Sequence, residues 1–187
     1  MPTSVRKLQA YLSHSPFMAN LNFALESKTN ISLIVGLIDH IEMIRPMFGL
    51  VSCDGVLKAI EEMLYQRFGH YSVRGGDVFL ILLTGEEAAK AGKIAESIRV
   101  SVEKQGLVVP SLSVESSTRV PITMYFGVTI ASSNWPPENG FFALLYEAID
   151  AIRVGQQTLM ANRVYQQPAQ PLTNILIRNF VNPFSWE

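Results

Sequence analysis

Five side chains stand out by type and position as able to do chemistry: Asp39, Asp54, Asp77, Arg45 and Arg74. Converging carboxylates can hold a hard cation, and guanidinium groups can hold an anion or a carboxylate. Asp39 ends the nearly continuous apolar run ISLIVGLID (31 to 39). It could share a cation with Asp77 or merely cap the turn that follows. Asp77 comes directly after Gly75-Gly76, and an Asp beside Gly-Gly is also an ordinary turn residue that accepts hydrogen bonds from neighbouring backbone amides. Asp54 stands just before a helical pattern and reads as an N-terminal cap stabilised by the helix dipole. Arg45 and Arg74 flank these segments, where each faces solvent or meets an anion or a partner carboxylate. His14, His40 and His70 are scattered, with no partner at metal-ligand or catalytic spacing, and Cys53 has no identifiable activating base.

The elements that must position these side chains follow from periodicity. HYSVRGGDVFLILL (70 to 83) reads as two strands joined by a tight turn at Gly75-Gly76, because glycine reaches the positive φ angles that two-residue hairpin turns need. The 31 to 39 run has the length and continuous apolarity of a strand covered on both faces. HIEMIRP is a short helical turn stopped by Pro46, and MFGLVSCDG is a loop leading to a helix from about Gly55 to Phe68 that buries Val56, Leu57, Ile60, Met63, Leu64 and Phe68. After the hairpin, Thr84 with Glu87 matches a capping box that opens a helix to about Gln105, with Ala91, Ile94, Ala95, Ile98 and Val102 on its apolar face. Residues 106 to 119 read as a loop or irregular edge. VPITMYFGVTIA reads as a strand, 141 to 160 as a helix burying Leu145, Ala148, Ile149 and Ile152, and NRVYQ as a last short strand. The first thirty residues suit two helical pieces broken at Ser15-Pro16.

Bulk properties narrow the function classes. At 187 residues and 48% hydrophobic, the chain is sized for one domain with a substantial core. A net charge of −1 supplies no basic field for phosphate backbones, so no nucleic-acid partner is expected. One cysteine excludes an internal disulfide framework and fits a reducing compartment. No apolar run approaches the roughly 18 residues of a membrane span, so a cytoplasmic location is expected.

Strand, helix, hairpin, helix, strand and helix in that order describe an α/β sandwich: a mixed sheet of about five strands flanked by helices. The chain at this point resembles the GGDEF domains, diguanylate cyclases that condense two GTP molecules into cyclic di-GMP. The resemblance covers about residues 31 to 164, within a domain expected to span 31 to 166 after an N-terminal helical segment of residues 1 to 30. It is carried by LIDHIEMIRPMFGLVSCDGVLKAI, where the family typically has DxDxFKxxNDxxGHxxGDxxL, by the signature-like loop Gly75, Gly76, Asp77, Val78 and Phe79, by MYFGVTIA, and by AIDAIRVGQQTLMANRV. It implies a nucleotidyl-cyclase-like fold, and Mg2+ only if a nucleotide is bound.

The same resemblance implies which residues would act, and this chain departs from several. The first-strand metal carboxylate falls on Leu37, leaving Asp39. The fourth signature residue, an acid in active enzymes, falls on Val78, while Asp77 keeps the third. An Asn that reads guanine falls on Arg45, and its partner aspartate is kept as Asp54. The phosphate-holding lysine and arginine fall on Gln157 and Ala161. The product-inhibition motif RxxD falls on Gln66 and Gly69, and Arg67 has no aspartate three positions on.

These departures imply a catalytically inactive GGDEF-like domain kept as a protein-interaction or scaffolding module in bacterial signalling. Two alternatives stand beside it: a GTP-type nucleotide sensor using Asp54 and Arg45 in the old cleft, and a residual metal-dependent cyclase using Asp39 and Asp77. The partner is another signalling protein or a second copy. The segment 167 to 187, beyond two prolines, crowds Ile175, Ile177, Phe180, Phe184 and Trp186 into a dozen residues. Such a cluster is expected to be covered, either by its own domain or in a partner's groove.

Overall fold

The computed structural model describes residues 12, 15–110, 117–131, 135, 140–157 and 162–168. Helix α1 is Pro16–Glu26, entered through Ser15, whose Oγ accepts from the Met18 amide at 3.3 Å, with the proline at the first helical position. Strand β1 is Ile31–Ile38, every residue of it buried, as its unbroken apolar run requires. Helix α2 is Ile41–Phe68, bent at Gly49 (φ 80°, ψ 161°), a conformation open to glycine and costly for other residues.

The hairpin strands are β2, Ser72–Gly75, and β3, Val78–Thr84. Helix α3 is Ala91–Gln105, strands β4 and β5 are Leu107–Pro110 and Ser117–Val120, and β6 is Met124–Ala131. Helix α4, Gly140–Gln156, and strand β7, Val164–Pro168, complete the described elements.

The main sheet runs β2-β3-β1-β6-β7. β1 is antiparallel to both neighbours, and β7 lies parallel to β6, so the sheet is mixed as the element order implied. Alternation along the strands separates two cores. Leu33, Val35, Leu37, Val78, Leu80, Leu82 and Tyr125 face α1 and α4, whose Phe17, Leu21, Leu144, Ala148 and Ile152 cover them. Ile34, Ile38, Phe79, Ile81, Met124, Phe126 and Val128 face α2 and α3, covered by Leu57, Ile60, Leu64, Ala95, Ile98 and Val102. Of the anticipated helix faces, Leu57, Ile60, Leu64, Ala91, Ala95, Ile98, Val102, Leu145, Ala148, Ile149 and Ile152 are buried, and Val56, Met63, Phe68 and Ile94 are half-buried against the α2–α3 core. No helix of the described residues is long and apolar enough to cross a membrane.

Several boundaries differ from the sequence reading, each for a local reason. Pro46 does not stop its helix, which continues to Phe48 and, past the Gly49 bend, resumes at Leu50. Asp54 therefore lies within a helix and cannot be its N-cap. Thr84 and Glu87 form no capping box: Gly85, at φ 61°, turns the chain, a short 3-10 turn spans Ala88–Lys90, and α3 begins at Ala91 with no side-chain cap. The stretch read as a loop at 106 to 119 contains the β4–β5 pair, registered Leu107 to Val120. The hairpin turn sits one residue later than Gly75-Gly76. Gly75 pairs with Val78, so the loop residues are Gly76, at φ 67°, and Asp77. β7 is Val164–Pro168, starting and ending two residues later than the strand read at NRVYQ (162 to 166).

Candidate functional site

The β2–β3 hairpin delivers Asp77 to the C-terminal end of β1, where the first half of α2 begins. Arg45, from that first half, donates through Nη2 to Asp77 Oδ1 at 2.5 Å. Both side chains are about a third exposed. The loop position of Asp77, rather than a strand position, frees its carboxylate to reach sideways to the helix. Residue 78, next along, is already in the ladder and points inward.

The sheet register sets three side chains in one row: Val78 on β3 opposite Leu37 on β1, and Leu37 opposite Tyr125 on β6. All three are buried in the α1–α4 core. Two apolar residues thus stand side by side in the row that ends beneath the hairpin loop.

Asp39 is buried and turned toward β6. Its backbone amide donates to the Thr123 carbonyl at 2.9 Å, and Thr123 Oγ1 donates to its Oδ2 at 3.1 Å. His40 Nε2 lies 3.3 Å from its Oδ1. The Tyr125 phenol is pushed up to about 12, first by burial, then by the charge of Asp39 and by its hydrogen bond to Asp39. A protonated phenol is the form that can donate to this carboxylate.

Asp39 and Asp77 are therefore engaged in opposite directions, one with the β6 side and the other with α2, and share no partner. Among the described residues no three His, Cys, Asp or Glu side chains are grouped to hold a metal ion.

Arg45, Cys53, Asp54 and Asp77 do come within electrostatic reach of one another. Burial raises the Cys53 thiol, Arg45 opposes that shift, and Asp54 and Asp77 reinforce it. The buried, neutral thiol is a packing residue. Asp54 is exposed on the solvent side of α2. Arg74 turns to α2 from the opposite flank, donating through Nε to Glu61 at 2.7 Å and through Nη1 to the Gly76 carbonyl at 3.1 Å. It pins the turn to the helix. A groove of about 310 Å3 beside this pair is lined by Glu61, Glu62, Tyr65, Gln66, Val73 and Phe79, and it lies on α2 beyond the Arg45 region. Gln157 is exposed at the end of α4. Ala161 and the C-terminal candidates Ile175, Ile177, Phe180, Phe184 and Trp186 lie outside the described residues.

Comparison with solved structures decides the architecture. The GGDEF domain of DgcB from Caulobacter crescentus, in complex with c-di-GMP, superposes with a TM-score of 0.65 at 22% identity, over 80% of this chain and 87% of that one. The chain has the fold of a GGDEF domain. The active GGEEF domain of a diguanylate cyclase from Vibrio cholerae gives 0.61 at 20% identity, over 80% of this chain and 90% of that one. The diguanylate cyclase SiaD from Pseudomonas aeruginosa, in complex with its activator SiaC, gives 0.61 at 20%, over 87% of this chain and 66% of that one. No protein-family model matches, and no curated protein matches either.

Gly75 to Phe79 form the tip of the β2–β3 hairpin and its first ladder residues, and Val78 pairs across the sheet with Leu37, the two positions at which the resemblance implies acids. The pairing of Arg45 with Asp77 was missed by reading the sequence alone. The two are 32 residues apart, and only the fold brings the first half of α2 to the hairpin tip.

Proposed function

We propose that this chain is a catalytically inactive GGDEF-like module that works through protein contacts in cyclic di-GMP-related signalling. The observation that carries the reading is the Arg45–Asp77 ion pair at the hairpin tip. A divalent ion needs converging oxygen ligands with negative charge to spare. Here one signature carboxylate is neutralised by a guanidinium, and the adjoining row offers Leu37 and Val78 in place of oxygens. A phosphoryl-transfer reaction assembled by electrostatic positioning has little left to act with at such a site. Asp39 does not substitute, because its oxygens serve Thr123, His40 and Tyr125.

The module reading takes support from two further features. The two cores are filled by the chain's own side chains, with Phe17, Phe79 and Phe126 fully buried, so the scaffold of such a module is intact. A protein of the same fold, SiaD, has been solved with an activator protein bound. The partner of this chain is then another signalling protein or a second copy, met through surfaces outside the hairpin.

Nucleotide sensing is the competing reading, since Arg45 and Asp54 still border the cleft. Calorimetric titration of the full chain with GTP, GDP and cyclic di-GMP in Mg2+ separates the two. The module reading predicts no saturable heat. Saturable GTP binding weakened by both Asp54→Ala and Arg45→Ala would replace it with the sensor.

A further inference from the structure

The first half of α2 and the start of its second half carry the most concentrated exposed apolar surface among the described residues. Met43 is 59% exposed, Met47 70%, Leu50 70% and Val51 87%, while Ile44 and Phe48 on the inner side pack against the core. Met43 and Met47, four residues apart, share one helical face. The Gly49 bend then carries the surface on to Leu50 and Val51. Four large apolar side chains this open, side by side, differ from the isolated exposed residues of an ordinary surface, and such patches mark contact sites.

The chain itself contains a segment of matching character. Beyond β7, residues 169 to 187 hold Leu172, Ile175, Leu176, Ile177, Phe180, Val181, Phe184 and Trp186, with Arg178 and Glu187 as the only charged side chains. We propose that this C-terminal segment seats its apolar side chains on the Met43, Met47, Leu50 and Val51 face of the same molecule.

Reach allows it. Pro168 pairs with Ile130, near the end of the sheet where β1 begins, and the α2 face lies beyond the other end of β1. Seven residues of strand are about 23 Å, and the two strand spacings and one layer to be crossed add about 10 Å each, so the direct path is roughly 30 Å. The 16 residues from Pro168 to Phe184 span up to about 55 Å when extended. Charge agrees as well: Asp54 is exposed one helical turn after Leu50 and Val51, and Arg178 is the one cation of the segment. The inference does not rest on the cleft being silent, because the patch and the tail are both apolar whether or not GTP is turned over.

Trp186 reports the outcome, since the chain has only two tryptophans and the other, Trp135, is buried in the domain. In a full-length Trp135→Phe background, Trp186 emission is expected to be blue-shifted and poorly quenched by acrylamide. Adding Met47→Asp and Val51→Asp, both at exposed positions, is expected to move the emission to the red and raise quenching several-fold. A second measurement stands if those variants fold poorly: Val51→Cys with Phe184→Cys, in a Cys53→Ser chain, forms an intramolecular disulfide, whereas Phe23→Cys with Phe184→Cys does not. Trp186 fully quenchable in the Trp135→Phe parent overturns the proposal. So does protection that survives both aspartates, or protection and cross-linking that appear only as protein concentration rises, which would place the tail on a second copy.

Discussion

Arg45 Nη2 sits 2.5 Å from Asp77 Oδ1, so the carboxylate at the tip of the β2–β3 hairpin already has a cationic partner from the chain itself.

The first prediction concerns this pair. Both groups are partly exposed, and such pairs contribute about 0 to 1 kcal/mol. Arg45→Ala and Asp77→Ala should each shift the chemical-denaturation midpoint only slightly. A double-mutant cycle should give a coupling below about 1 kcal/mol that shrinks in high salt. A coupling of several kcal/mol that ignores salt would show the pair to be far more buried than described.

Restoring an acid at residue 37 should be costly. Leu37 is buried between Val78 and Tyr125 in the register, and Leu37→Asp would place a carboxylate there whose neighbouring donor, the Tyr125 phenol, already serves Asp39. The expected loss is about 2 to 4 kcal/mol in denaturant unfolding, largest at neutral pH where the carboxyl is charged. An unchanged midpoint would mean that this row is open to water.

Alkaline pH gives a third test. Tyr125 ionises at about 12 in the folded chain against 10.0 for an ordinary tyrosine. Its contribution is complete below pH 10. It is lost as pH rises from 10 toward 12, because the unfolded chain releases the phenolic proton first. Tyr125→Phe should therefore flatten the loss of stability over that window, as read from urea midpoints against pH. Identical slopes for both proteins would remove Tyr125 from the Asp39 network.

Close packing gives a fourth. A Cβ at Gly127 would lie 1.8 Å from the Ala148 carbonyl oxygen, a backbone atom of α4 that cannot swing aside. Gly127→Ala should cost about 3 kcal/mol or more, or prevent folding, with loss of near-ultraviolet circular dichroism as the reading. A native spectrum and midpoint would mean that α4 stands farther from β6.

Much of the architecture was legible because β1, β3, α3 and α4 carry strong periodic signals, and buried strands announce themselves as unbroken apolar runs. What failed was local and governed by tertiary context. Pro46 sits inside a helix because packing of Ile44 and Phe48 holds the segment on both sides of it. Asp54 was misplaced because a glycine-marked bend at Gly49 reads in sequence like the edge of a loop. The β4–β5 pair was hidden by polar, serine-rich neighbours. Of the candidate site, the residue identities at 37, 39, 45, 77 and 78 were visible, and the partnerships were not. Asp39 with Thr123 spans 84 residues and Arg45 with Asp77 spans 32, and no local pattern encodes either.

The most direct measurement is product formation by the purified full chain, at enzyme concentrations comparable to GTP, with Mg2+ and separately with Mn2+, analysed for cyclic di-GMP. An inactive module predicts no product above a no-enzyme control with either metal. Cyclic di-GMP that accumulates in proportion to the chain, and that Asp77→Ala abolishes, would contradict the account.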